Sequence, residues 1–492
     1  MARPRGWVFT VFLIVLFTLG YLATRLVNLT QIPVFTDEAI YIRWSQIGAQ
    51  DANWRFISLV DGKQPLFTWI VMVLLRLIPG DPLFVGRLAS VLAGAASMVG
   101  IWFLSYELFG RKKIAFLSSF LYLFSPFALV YDRMALYDSL VATFFIWNMY
   151  LAIRLARSPR LDTALLLGLT LGAGMLNKTS GFLSLYLIPT TLFLFDWTNP
   201  KRLIRWIGFV LIAAVISQLL YSVLRLSPLF YMIAQKDMVF IYPLSEWITN
   251  PTQHLEGNLR GLFDWLIRYL TWPIFFAAIL PAMDRKNRRE FLVLYAWCLI
   301  PLVGLASFGK VLYPRFVLFM AMPLLVAAAT TIVWLYETTS SRVWKRVVML
   351  VMFAPSVIAV FYLLFNPLYA PIPQADRGQY INDWPAGWGV REVNAFLLNQ
   401  SRDQHITVVT EGTFGLLPYA IEIYLVNNPN ITITGIWPLP AQIPESVAEA
   451  VKKEPTYLVV NKDEVPIEWS ATLLAQYQKG LRRDRYLRLY RL

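Results

Sequence analysis

Two adjacent carboxylates, Asp37 and Glu38, stand in "VFTDEAIYIRW", a few residues beyond an apolar stretch. Four later segments carry the other charged residues of interest. They are Lys63 in "DGKQPL", Asp132, Arg133 and Asp138 in "YDRMALYDS", Lys178 in "NKTSG", and Lys310 with Arg315 in "FGKVLYPRF". A carboxylate can take a proton from an attacking hydroxyl. Lysine and arginine bind phosphate, and arginine does so with two parallel hydrogen bonds. Cations placed where a phosphate leaves offset the charge that develops on it. The combination fits transfer of a sugar from a lipid phosphate, with a hydroxyl attacking the anomeric carbon and inverting its configuration in one displacement. Each residue also has a plainer reading. "TDEA" is a plausible helix start, where Thr36 and Asp37 accept backbone N–H bonds. Arg133 can close a turn with Asp132 or Asp138, and Lys63 and Lys178 can snorkel.

The chemistry depends on whether these segments lie on one side of a membrane. Of the 492 residues, 57% are hydrophobic, above the usual soluble range of about 45–50%. Eleven apolar runs are expected to span, at about 7–27, 84–108, 114–131, 139–156, 161–176, 180–196, 203–226, 262–282, 291–308, 316–336 and 346–366. The first follows Arg3 and Arg5 and has no clear small-residue cleavage site, so it reads as an uncleaved span rather than a signal peptide. With the N-terminus inside, six inner connections hold 18 lysines and arginines: Arg3/Arg5, "RKK", Arg154/Arg157/Arg160, "KRLIR", "RKNRR" and "RVWKR". This satisfies the positive-inside rule at every one of them and accounts for a net charge of +14 without nucleic acid. The run "PLFTWIVMVLLRLIP" (65–79) is too short to span and carries Arg76, so it is expected to lie in or beside the outer face. The acidic pair and all the later charged segments then fall on the outer side. Cations there run against the positive-inside bias, and a bound anion is a reason for them. Tyr41, Trp44, Trp54 and Trp69 are expected as interfacial anchors.

From about 367 the composition changes. A linker rich in Pro, Gly and aromatics leads to alternating helix-like and strand-like segments. "GVREVNAFLLNQ", "ESVAEAVKKE" and "WSATLLAQYQ" read as helices, and "HITVVTE", "NITITGI", "TYLVVNK" and "RYLRLYRL" as strands. The expected fold class is therefore mainly α. A polytopic helical membrane domain (1–366) is followed by a linker and a small extracytoplasmic α/β domain (367–492).

One cysteine, Cys298, excludes an intramolecular disulfide, and two distant histidines give no metal-site pattern. An acidic pair can hold a divalent cation, but nothing in the sequence requires a metal or other cofactor. A transporter or flippase of lipid-linked sugars is the alternative function. It predicts charges near mid-membrane and broken helices, whereas these charges cluster at the outer ends. A non-catalytic scaffold gives no reason for several external cations near an acidic pair.

"TDEAIY", "KQPLFTW", "RMALYD", "LNKTSG" and "YPRFVLFMAMPLL" follow one another in an order that resembles the bacterial GT-C glycosyltransferases. These are related to protein O-mannosyltransferases and to the aminoarabinose transferase of lipid A. The resemblance covers about residues 1–366. It implies a polytopic GT-C fold, a polyprenyl-phosphate sugar donor, a protein, lipid or glycan acceptor, and action at the outer face of the cell membrane. It also implies roles. Asp37 is the expected base, and Glu38 orients the loop or helps bind the acceptor. Lys63, Arg133, Lys178 and Arg315 are donor-phosphate ligands, and Asp138 shapes the site. Where many relatives have Lys-Pro-Pro, this chain has "KQP".

Overall fold

The computed structural model describes residues 5–199, 201–283, 286–462 and 465–492, so Arg3 and Arg285 of the expected inner connections lie outside the described residues. In chain order the helices are α1 (Arg5–Leu26), α2 (Thr36–Gln50), α3 (Leu66–Leu77), α4 (Pro82–Phe109), α5 (Lys112–Leu123), α6 (Pro126–Asp132), α7 (Asp138–Arg157) and α8 (Leu161–Asn177). They continue as α9 (Phe182–Leu187), α10 (Lys201–Ser222), α11 (Met232–Phe240), α12 (Leu244–Thr249), α13 (Leu255–Leu270), α14 (Trp272–Ile279), α15 (Arg288–Phe308), α16 (Leu318–Thr338) and α17 (Arg342–Phe365). The tail holds α18 (Gln374–Arg377), α19 (Val390–Gln400), β1 (Ile406–Glu411), α20 (Leu416–Leu425), β2 (Ile431–Ile436), α21 (Glu445–Lys453), β3 (Thr456–Val460), β4 (Thr472–Gln478) and β5 (Tyr486–Arg491). The chain divides into two compact units. The first is Met1–Val27, Phe56–Phe67 and Ala89–Asn366; the second is Asn28–Arg55, Thr68–Leu88 and Pro367–Leu492.

Six of the expected spans, α4, α7, α10, α15, α16 and α17, are helices long and apolar enough to cross a membrane, and the chain is a multi-pass membrane protein. Two more expected spans are bent pairs: α5 and α6 meet at 58°, α13 and α14 at 110°. Local chemistry explains both breaks. Ser125 caps α6 by accepting the Ala128 N–H, and Pro126 opens the new helix. Thr271 takes a φ of 65° before Trp272 and Pro273, and proline cannot continue the α13 hydrogen-bond ladder. The apolar stretches Thr10–Leu26, Leu161–Asn177 and Thr179–Leu194 are shorter helices. Helix α3 has 12 residues, about 18 Å, well short of a hydrocarbon core of about 30 Å.

The first unit packs around α16, whose side chains are almost all buried from Leu318 to Val333. A polar network ties α1 to the α5–α7 segment inside this apolar surround. Arg25 and Asp132 are both fully buried and meet at 3.2 Å. Asp132 also accepts from the Tyr122 hydroxyl at 3.1 Å and from Ser139 at 3.0 Å. Arg25 donates on to the Leu123 carbonyl at 2.6 Å. A buried charge needs such partners, because an unpaired one costs several kcal/mol (roughly 3–5). Cys298 is buried in α15, as its apolar run implies.

The second unit contains a five-stranded sheet in the order β2-β1-β3-β5-β4. Pairings β1–β2 and β1–β3 are parallel, while β3–β5 and β4–β5 are antiparallel. One expectation fails. "WSATLLAQYQ" was expected to be helical, but most of it is strand β4. This edge strand runs from Thr472 opposite Arg491 to Gln478 opposite Tyr486. Its helix-forming Leu, Ala and Gln are overridden by pairing with β5, which a seven-residue turn through Gly480 (φ 53°) brings back beside it. The unit also takes in 28–55 and 68–88, most of the expected first external connection and the first residues of the expected span 84–108. Helix α2 packs on α20, where Arg43 and Glu422 meet at 2.6 Å and Gln46 donates to the Ile423 carbonyl at 2.8 Å.

Lys479 is fully buried beside this turn. Its Nζ donates to the carbonyls of Trp384 (2.9 Å) and Ala386 (2.7 Å) and to Asn461 Oδ1. Burial pulls its pKa down to about 7. The unfolded chain keeps that proton up to the ordinary lysine value near 10.4. Stability of the unit is therefore expected to rise with pH from about 7 towards that value. Thermal unfolding of the full chain, followed by hydrogen exchange in the sheet, checks this. Lys479→Met is expected to flatten the dependence, and an unchanged slope in the variant contradicts it.

Candidate active site

Asp37 and Glu38 open α2, but the two carboxylates do different things. The N-cap residue is Phe35, whose side chain has no acceptor. Glu38 takes over the capping role by accepting the Phe35 N–H at 3.0 Å. Its two oxygens also receive a fork from Arg87, with Nε 2.8 Å from Oε1 and Nη2 2.7 Å from Oε2. Both side chains are 0% exposed. Arg87 further donates to the carbonyls of Leu29 (2.7 Å), Ile32 (2.9 Å) and Pro33 (3.1 Å), which fixes the chain entering α2. The same turn is held from the other side. The N–H and hydroxyl of Thr36 both reach the Pro385 carbonyl at 3.1 Å, and Gly387 N–H reaches the Val34 carbonyl at 2.8 Å. Asp37 is half-buried at the second position of this fixed turn. Contrary to expectation, neither Thr36 nor Asp37 is the cap. Tyr41 and Trp44 are buried at 4% and 2% exposure, so they are core residues of this unit rather than interfacial anchors.

Within the first unit, three of the expected cations converge from distant segments on one pair of aromatic rings. Phe240 and Phe316 lie 5.9 Å apart, edge to face. Lys63 Nζ is 5.5 Å from the Phe240 ring and Lys178 Nζ is 4.6 Å from the Phe316 ring. The Arg315 guanidinium is 4.8 Å from Tyr313 and 5.8 Å from Phe316. Backbone pairing sets the arrangement. Tyr242 N–H donates to the Phe308 carbonyl at 2.7 Å and Lys310 N–H to the Phe240 carbonyl at 2.8 Å, which ties the end of α11 to the "YPRF" segment. The turn before Lys63 lies directly on α11. Gly62 has a φ of 63°, and a Cβ there would come within 2.4 Å of the Met232 carbonyl oxygen. The Gln64 that replaces the first proline of Lys-Pro-Pro donates to Thr179 at 2.7 Å, so "KQP" is joined to "NKTSG". Asp138, at the start of α7, binds Lys178 at 2.7 Å.

Arg133 has a different placement. It is buried, and its Nη1 lies within 3.0 Å of the carbonyls of Thr24, Arg25 and Val27, at the open C-terminal end of α1. A helix end needs such donors for its last carbonyls. Of the turn partners suggested by the sequence, Asp132 binds Arg25 at 3.2 Å and Asp138 binds Lys178 at 2.7 Å.

The structure adds residues that sequence reasoning passed over. Lys236 and Asp237 of α11 join the cluster. Lys236 binds Asp61 at 2.5 Å and lies 6.0 Å from the Phe240 ring. Burial pushes the Asp237 carboxyl above its usual range, opposed by a Thr179 hydrogen bond and by the charges of Lys63 and Lys178. The adjacent "KD" between the apolar stretches "LFYMIA" and "MVFIY" was the available signal. Arg25 and Arg87 were also missed, although an arginine inside an apolar run is a marker of a specific partner. Among the described residues no group of three or more His, Cys, Asp or Glu is placed to hold a metal ion.

The Glu38–Arg87 contact predicts strong coupling. Arg87→Met leaves a buried carboxylate without its counter-charge and is expected to destabilise the protein by about 3–5 kcal/mol. Adding Glu38→Gln to Arg87→Met is expected to restore much of that loss, which a double-mutant cycle of thermal unfolding measures. Simple additivity of the two single effects contradicts this assignment.

Residues 62–224 match the family described as dolichyl-phosphate-mannose-protein mannosyltransferase. The chain is 26% identical over 318 residues to the undecaprenyl phosphate-alpha-4-amino-4-deoxy-L-arabinose arabinosyl transferase of Yersinia enterocolitica. That match covers 60% of this chain and only 55% of the relative's length. The fold is similar to ArnT from Cupriavidus metallidurans bound to undecaprenyl phosphate, with a TM-score of 0.62 and 15% identity over 99% of this chain and 98% of that one. It is also similar to the Archaeoglobus fulgidus oligosaccharyltransferase, with a TM-score of 0.51 and 14% identity over 91% of this chain and 68% of that one. The matched segment, the relative and the fold are together similar to those of the GT-C glycosyltransferases.

Proposed function

We propose that this chain is an inverting glycosyltransferase. It moves a sugar from a polyprenyl-phosphate donor to a hydroxyl acceptor on a protein, lipid or envelope glycan. The reaction takes place at the outer face of the cytoplasmic membrane, with the N-terminus cytoplasmic and the tail domain extracytoplasmic. The observation that carries this reading is the convergence of Lys63, Lys178 and Arg315 on the Phe240–Phe316 pair. Aromatic faces hold these cations through their ring quadrupoles, and three basic groups gathered from three segments into one cluster support the reading of a phosphate site. The similarity to a fold solved with undecaprenyl phosphate supports the donor class.

In the reaction, the acceptor hydroxyl gives its proton to the Asp37 carboxylate as its oxygen bonds to the anomeric carbon. The bond from that carbon to the phosphate oxygen breaks, and polyprenyl phosphate leaves with the electron pair. Lys63, Lys178 and Arg315 meet the charge that grows on it. Asp138 holds Lys178 in place, and Arg133 acts chiefly through the end of α1. Glu38 is the anchor of the loop and does not exchange protons with substrate, since both of its oxygens are engaged by Arg87 and the Phe35 N–H. The region 1–366 carries the transfer chemistry. The tail from 367 steadies the Asp37 turn through the Pro385 and Gly387 contacts.

Release of polyprenyl phosphate from a purified enzyme supplied with a polyprenyl-phosphate sugar tests the proposal. Asp37→Asn is expected to lower kcat about 10²–10⁴-fold with little change in Tm. Lys63→Ala combined with Arg315→Ala is expected to raise the donor KM. Full turnover in Asp37→Asn overturns the base assignment. Movement of the donor across the bilayer without release of polyprenyl phosphate favours the flippase reading.

A further inference from the structure

A groove of about 850 Å³ lies along α17 at the end where α16 turns into it. That volume is in the range of small-ligand sites, about 300–1,000 Å³. Its walls are divided along the helix axis. Arg342, Lys345 and Arg346 line one end, and Phe353 and Val357 line the rest. The spacing 342, 345, 346, 353, 357 keeps all five on one helix face. Lys345 Nζ is turned onto the ring of Tyr336, 4.7 Å from its centroid, so this cation is held at the mouth of the groove. The carboxylate nearest in sequence, Glu337, is taken by Arg111 at 2.7 Å and Lys113 at 3.1 Å. Among the described residues none of the three groove cations has an acidic partner. Behind the apolar wall, Phe353 meets Phe120 edge-on at 5.2 Å.

We infer that this groove binds one anionic phospholipid from the leaflet that bathes the N-terminal end of α17. Its headgroup phosphate sits among Arg342, Lys345 and Arg346, and an acyl chain lies along the face to Val357. Lengths agree: the rise from Arg346 to Val357 is about 16 Å, close to half of a hydrocarbon core of about 30 Å. A soluble anion would match the cations but not the apolar wall, and an uncharged lipid would match only the wall. Basic pockets between spanning helices are a known physical route to anionic-lipid selectivity. The bound lipid ties α17, whose outer side chains Val343 and Phe361 are exposed, to the hairpin with α16. This site does not depend on the transfer reaction proposed above.

Native mass spectrometry of the full chain, released from nanodiscs of equimolar phosphatidylglycerol and phosphatidylcholine, tests the inference. Wild type is expected to retain one phosphatidylglycerol, with a preference on the order of 100-fold for three cations at the membrane surface. Arg342→Gln/Lys345→Gln/Arg346→Gln is expected to lose the preference. Ala354→Trp, which fills the groove and leaves the cations, is expected to lose retention. Melting curves confirm that each variant is folded. Phosphatidylglycerol is expected to raise Tm in wild type, and inorganic phosphate at the same concentration is not. Equal retention of the two lipids by wild type overturns the inference. So does an undiminished preference in the triple variant, unchanged retention in Ala354→Trp, or a phosphate effect as large as that of the lipid.

Discussion

Glu38 and Arg87 meet with no solvent contact on either side chain, and the first turn of α2 is built around them. In a buried setting neither charge is tolerable without the other. Their mutual geometry therefore fixes the backbone on both sides. Arg87 gathers the carbonyls of Leu29, Ile32 and Pro33 on the approach, and Glu38 receives the Phe35 N–H at the helix start. One acid of the pair has become part of the scaffold. The consequence for its neighbour is positional, because the backbone of Asp37 has little freedom left. A general base profits from that restraint, since proton transfer depends on sub-ångström placement more than on the strength of any one contact.

The first unit applies the same physics to a different end. Arg25 and Asp132 neutralise each other deep among apolar helices, with Tyr122 and Ser139 completing the carboxylate's hydrogen bonds. Arg133 uses Nη1 to close α1. Lys63 and Arg315 lie against aromatic rings in the cluster around Phe240 and Phe316. Residue type alone does not reveal which cation lies in the scaffold and which in that cluster.

Much of the helical plan was legible from apolar run length and from the clustering of lysine and arginine between runs. The angles were not. "SP" at 125–126 and "TWP" at 271–273 mark breaks, but a 58° or 110° bend depends on what each half packs against. The convergence of "KQP", "NKTSG" and "YPRF" was anticipated only as sharing one side of the membrane. The α11 segment that joins them, with Lys236 and Phe240, lay in a connection whose weak periodicity gave little to read. Asp37 and Glu38 were already given different roles, but the buried Arg87 that engages Glu38 lay 49 residues away. Successive residues of a helix turn point about 100° apart, so the environments of the two acids need not agree. In the tail, strand β4 looked helical because Leu, Ala and Gln favour helices, and only its pairing with β5 decides otherwise.

The proposed reaction, with Glu38 held in the scaffold and Asp37 as base, is a single displacement at the anomeric carbon. The anomeric configuration of the product, determined by NMR coupling constants against that of the polyprenyl-phosphate donor, tests this most directly. Inversion is the expected result. Retention would require a second carboxylate acting as nucleophile and would contradict the assignment of Glu38 to the scaffold and Asp37 to the base.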